Sequence, residues 1–113
     1  RRQMNIQIFG RSKCFESKKA ERYFKERRIK FQYIDIDKYP MSRGEFQSVR
    51  SAVGLDSMIN EKTGGAELLK YLAYDADREE KLLEDQKLIK TPVVRNGRKA
   101  TVGYVPDVWK DWE

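Results

Sequence analysis

Cys14 is the only cysteine in the chain, and histidine is absent. Together these two facts narrow the available chemistry. Without histidine there is no Ser-His or Cys-His nucleophile pair, and most zinc sites are excluded. A lone cysteine cannot form an internal disulfide, which fits a reducing compartment. Thiol chemistry remains, with hydroxyls, carboxylates, lysines, tyrosines or solvent to handle protons.

The flanks of Cys14 favour such chemistry. Gly10-Arg11-Ser12-Lys13 leads into the cysteine, and a helical pattern follows from Cys14 to Arg28. Backbone N–H groups in the first turn of a helix lack intrahelical partners, and their partial positive charge favours thiolate over thiol. Arg11, Lys13 and Lys18 are close in sequence and push the same way, while Glu16 opposes them weakly. Ser17 lies one turn along the same face and can donate a hydrogen bond to the sulfur. Cys14 is therefore the candidate nucleophile, with Ser12, Ser17 and Lys18 as thiolate-stabilising residues. The bland alternative is an inert core filler. Ser12-Lys13 and Glu16-Ser17-Lys18 are too polar for that.

The elements that must hold this cysteine follow from the apolar pattern. Met4-Asn5-Ile6-Gln7-Ile8 alternates with the period of a strand, and Gly10 stops it. Ala20, Tyr23 and Phe24 give the first helix its apolar face. Phe31–Ile36 is rich in aromatic and β-branched residues and predicts a second strand. Ser42-Arg43-Gly44-Glu45 has capping-box spacing, and Phe46, Val49 and Val53 form the stripe of the helix that Gly54 ends. Gly64-Gly65 precedes a helix with Leu68, Leu69 and Leu72, and Asp77-Arg78-Glu79-Glu80 caps another with Leu82 and Leu83. Val93-Val94, the turn Asn96-Gly97 and Lys99–Val102 predict a hairpin. Pro106 opens a closing helix with Val108, Trp109 and Trp112. The order β-α-β, helices, β-β-α requires a mixed four-stranded sheet with flanking helices and a helical insertion. Tyr23, Phe24, Phe31, Tyr33, Phe46, Tyr71 and Trp109 are expected in the core, with Tyr104 and Trp112 half exposed.

Bulk properties set the remaining limits. At 113 residues, 39% hydrophobic and 37% charged, residues 4–113 suit one domain with a modest core. Arg1-Arg2-Gln3 precedes the first methionine and reads as an expression remnant or a disordered start. The charge of +6 is spread over interleaved acids and bases, so no direct nucleic-acid binding is expected. No apolar run suits a membrane span or a secretory leader, and a soluble cytoplasmic protein is expected. Asp35/Asp37 and Asp75/Asp77 are explained by loops and caps, so no metal is expected.

The segment Gly10-Arg11-Ser12-Lys13-Cys14-Phe15-Glu16-Ser17-Lys18-Lys19 resembles the active-site opening of the arsenate reductase (ArsC)/Spx family, a thioredoxin-like group. Leu88-Ile89-Lys90-Thr91-Pro92-Val93-Val94 and Val102-Gly103-Tyr104 resemble its second and third signatures, in order and at matching separations. The resemblance runs from Met4 to Trp112 and implies a thioredoxin-like fold with a cis bond before Pro92.

On the ArsC side it implies a thiol-dependent oxidoreductase. Cys14 attacks a small oxyanion or a disulfide, and an external thiol such as glutathione, or glutaredoxin, resolves the product. No tightly bound cofactor is implied. The positions of the family's three oxyanion-binding arginines fall on Lys62, Thr91 and Arg98 or Lys99, beside Pro92. Threonine and lysine lack arginine's bidentate grip, so weak arsenate reduction is expected, with a gain on Thr91→Arg. The Spx side implies a non-catalytic regulator that binds RNA polymerase through the surface around Gly54 and the closing helix. Ser17 stands where the second cysteine of the Spx switch would be, so that switch is absent.

Overall fold

The computed structural model describes residues 5–60 and 66–112. Among the described residues four strands and four helices follow in the order β1 (Ile6–Gly10), α1 (Phe15–Glu26), β2 (Phe31–Asp35), α2 (Arg43–Val53), α3 (Asp75–Glu84), β3 (Val93–Asn96), β4 (Lys99–Val102) and α4 (Pro106–Asp111). Short 3-10 turns at Asp56–Met58, Ala66–Tyr71 and Gln86–Leu88 complete the insertion between β2 and β3. The sheet order is β2-β1-β3-β4, with β1 parallel to β2 and the remaining pairs antiparallel. This is the thioredoxin-like arrangement implied by the sequence.

The period of two in β1 divides the core. Ile6 and Ile8 face α1 and the C-terminal helix, packing with Val94, Ala20, Phe24, Trp109 and Trp112. Phe9 and Val93 point to the other face, against Phe46 and Val49 of α2 and Leu82 of α3. The insertion is held onto that face partly by charge. Glu79 of α3 is buried, and it pairs with Arg50 of α2 at 2.6 Å. The capping box is reciprocal: Ser42 Oγ accepts from the Glu45 N–H (3.2 Å), and the Glu45 carboxylate accepts from the Ser42 N–H (2.9 Å). Gly97 takes the positive φ of 62° that the hairpin turn requires.

Some expectations are corrected. Tyr71 is 83% exposed rather than in the core, because it ends a 3-10 turn, Ala66–Tyr71, where the sequence predicts an α-helix. Trp112 is buried rather than half exposed, since it follows α4 directly and packs with Trp109. Helix α1 begins at Phe15 and ends at Glu26, and β2 ends at Asp35, one residue early. Met4 and Gly64-Gly65 lie outside the described residues. Among the described residues no helix is long and apolar enough to cross a membrane.

Trp109 carries the most weight on its face of the sheet. It is fully buried against Tyr23 and Phe24, and its Nε1–H donates to Thr101 Oγ1 at 2.7 Å. Trp109→Ala should cost about 3–5 kcal/mol in denaturant unfolding, from the lost burial and the cavity left behind. A loss under about 1 kcal/mol would mean that this face does not depend on it.

Candidate active site

Cys14 is the N-cap residue of α1. Strand β1 ends at Gly10, and the Cys14 N–H closes a turn onto the Arg11 carbonyl at 3.0 Å. The backbone of Cys14 is extended (φ −88°, ψ 115°), which aims its side chain at the start of the helix. An N-cap side chain usually accepts from the N–H groups of the second and third helical residues. Those are Glu16 and Ser17 here. The neutral thiol closes no cap bond, but both amides favour the ionised sulfur.

Burial pushes the Cys14 thiol up, and hydrogen bonding more than offsets it. The Ser17 hydroxyl, the Thr91 hydroxyl and the Ser17 and Glu16 amides together hold the pKa below its ordinary value. In the neutral state Sγ donates to the Thr91 carbonyl at 3.6 Å. Ser17 is fully buried, and its Oγ accepts from the Arg11 N–H at 3.3 Å. The Tyr33 hydroxyl shares the Ser17 hydrogen bond. Burial raises the Tyr33 pKa, with Glu21, Asp35 and Cys14 adding to the effect, so it remains a neutral phenol. Space here is tight. A Cβ on Gly10 would sit 2.5 Å from the Tyr33 hydroxyl oxygen and 2.8 Å from Ser17 Cβ. Gly10 is therefore needed for close approach.

The sulfur opens onto a cleft of about 950 Å³ whose lining includes Ser12, Lys13, Asn60, Lys87, Lys90 and Thr91. Ser12 is exposed on its rim, and Lys18 is exposed on α1. The groups that lower the Cys14 pKa are hydroxyls and amides, with Lys18 and Ser12 not among them. Thr91 is buried beside the sulfur, and its bond to Pro92 is cis. Lys62 lies outside the described residues.

Arg98 and Lys99 are not brought to the cleft. β1 and β3 run antiparallel, pairing Ile6 with Asn96 and Phe9 with Val93. The hairpin turn therefore lies at the Ile6 end of the sheet, about 13 Å of strand from the Cys14 end. The strand direction decides this, and the turn chemistry does not reveal it.

Sequence reasoning missed two lysines of the cleft and one residue behind it. Lys90 and Lys87 supply positive charge there. Tyr33 serves the Ser17 hydroxyl rather than only the core, and the glycine at the end of β1 was the one available signal of that crowding.

Ser17→Ala removes a buried donor to the sulfur while leaving the amides in place. It should raise the Cys14 pKa and lower the alkylation rate at neutral pH, by the roughly 1.5–3 kcal/mol that a hydrogen bond to a charged group contributes. An alkylation profile identical to the parent's would remove Ser17 from the site.

Residues 9–112 match the ArsC family. The chain is similar to the uncharacterized protein YusI of Bacillus subtilis (strain 168), at 28% identity over 96% of this chain and 98% of that one. It is likewise 28% identical to the Global transcriptional regulator Spx 2 of Oceanobacillus iheyensis, over 92% of this chain and 80% of that one. The fold superposes on an arsenate reductase from Vibrio cholerae with a TM-score of 0.83, at 22% identity and covering 97% and 98% of the two chains. The family match takes in the cysteine loop, the Thr91-Pro92 segment and the hairpin alike, and the chain belongs to the ArsC family.

Proposed function

We propose that this protein is a thiol-dependent oxidoreductase of ArsC type, in which Cys14 is the single nucleophile and an external thiol such as glutathione resolves it. The observation that carries this reading is the place of the Cys14 thiol, at the start of α1 and 3.6 Å from the Thr91 carbonyl, where neighbouring hydroxyls and helix amides hold its pKa below the ordinary value. These donors favour the thiolate, the form that attacks.

The proposed substrate is a mixed disulfide carrying glutathione. The Cys14 thiolate attacks the glutathione sulfur, a new S–S bond forms, and the substrate thiolate leaves. A second glutathione, or glutaredoxin, then attacks that sulfur as its thiolate. Cys14 returns as thiolate; the two electrons come from the glutathione thiols, which leave as a disulfide, and end in the released substrate thiolate.

Arsenate fits less well. Lys13 and Lys90 line the cleft, but a lysine provides a point charge rather than a fork. The gain expected from Thr91→Arg is also offset. Thr91 is buried, and its hydroxyl is one of the groups that stabilise the thiolate.

A regulator that binds RNA polymerase is the second reading, favoured by the 28% identity to Spx 2. The exposed Gly54, with φ of 88° and open space around it, would lie on such a surface.

Incubation with glutathione disulfide should give one adduct by mass spectrometry, absent in Cys14→Ser and removed by reduced glutathione. No adduct, together with binding to RNA polymerase, would replace the enzyme reading with the regulator.

A further inference from the structure

Arg11 stands three residues before Cys14, and its backbone and side chain act on different parts of the site. Its N–H donates to Ser17 Oγ at 3.3 Å, and its carbonyl accepts from the Cys14 N–H at 3.0 Å. Its side chain, 14% exposed, lines the same cleft as Cys14 and bonds to three other segments. Nε donates to Asp37 at 3.1 Å, Nη1 to the Ile89 carbonyl at 2.8 Å, and Nη2 to the Gln86 carbonyl. One guanidinium thus ties the loop after β1 to the loop after β2 and to the segment that leads into β3.

That last segment carries Thr91, two residues after Ile89. It is also held by the chain after α2, through the Ile59–Ile89 bridge and the Lys90 N–H on the Met58 carbonyl at 2.8 Å. Neither of those contacts touches the cysteine loop. Arg11 does, and its planar fork suits several fixed acceptors in a way that lysine's point charge does not.

We propose that Arg11 is a positioning residue for Cys14: its guanidinium straps the Gln86 and Ile89 carbonyls to the cysteine loop and so holds Thr91 against the sulfur. Through its N–H it also seats Ser17, so one residue orders both hydroxyls that serve the thiolate. Three of its five N–H donors are engaged by these protein acceptors. The proposal rests on the reading of Cys14 as the reacting thiolate.

The test is the pH profile of Cys14 alkylation by iodoacetamide in Arg11→Lys, Thr91→Val and the double variant, each checked for folding by circular dichroism. Lys13, Glu16, Tyr33 and Lys90 near the sulfur stay unchanged in every variant. Arg11→Lys keeps the charge and loses the fork. Its midpoint should rise by about half a unit to one unit, a three- to tenfold loss of thiolate at neutral pH. Thr91→Val should shift it similarly, and the double variant should add little to either. A parental midpoint in Arg11→Lys, or shifts that simply add, would overturn the proposal.

Asp37→Ala decides the matter should Arg11→Lys fail to fold, because the Asp37 side chain is half exposed. Loosening the strap raises the midpoint, whereas removing a nearby negative charge alone lowers it. A lowered or unchanged midpoint would overturn the proposal. An ordinary midpoint in the unaltered chain is a separate result, and it would remove the thiolate reading itself.

Discussion

Thr91 reaches the sulfur of Cys14 from 77 residues further along the chain, and the site depends on that meeting. A helix N-terminus alone offers the amides of Glu16 and Ser17. The second hydroxyl comes from another part of the fold. It arrives because β3 runs antiparallel to β1, placing the start of β3 beside the end of β1. The register Phe9–Val93 then sets Thr91-Pro92 next to the loop that follows Gly10. Gly10 itself must lack a side chain so that Tyr33 and Ser17 can close on one another.

Two opposing effects meet at the sulfur. Burial disfavours its charge, and four hydrogen-bond donors favour it more. The balance has a consequence for stability. The folded pKa lies below the unfolded one, so the ionised thiol stabilises the fold. That contribution is fully present above the unfolded value of about 8.5 and is lost as pH falls through the folded one. The chemistry and the fold therefore draw on the same contacts. Loosening the Thr91 segment weakens both.

Local features were legible in the sequence wherever chemistry and neighbouring residues sufficed. Cys14 at a helix start, Ser17 one turn on, the Ser42–Glu45 box and the Asn96-Gly97 turn are all short-range patterns, and each stands where its pattern placed it. The mixed sheet followed from element order. What escaped needs three-dimensional knowledge. Arg98 and Lys99 match a motif position, yet the direction of β3 carries their turn to the other end of the sheet. Tyr71 has the composition of a core residue, but a 3-10 turn exposes it. Tyr33 and Arg11 meet partners on other elements, and neither partnership has a signature along the chain. Lys90 lines the same cleft as Thr91, but a lysine among many others along the chain carries no signature of its own.

The most direct test of the thiolate site is the rate of Cys14 alkylation against pH in the unaltered chain. Cys14 is the only thiol, so the profile reports one group. With four donors outweighing burial, the rate should rise through a midpoint clearly below the unperturbed value of about 8.5 and level off above it. A midpoint at or above that value would contradict the account.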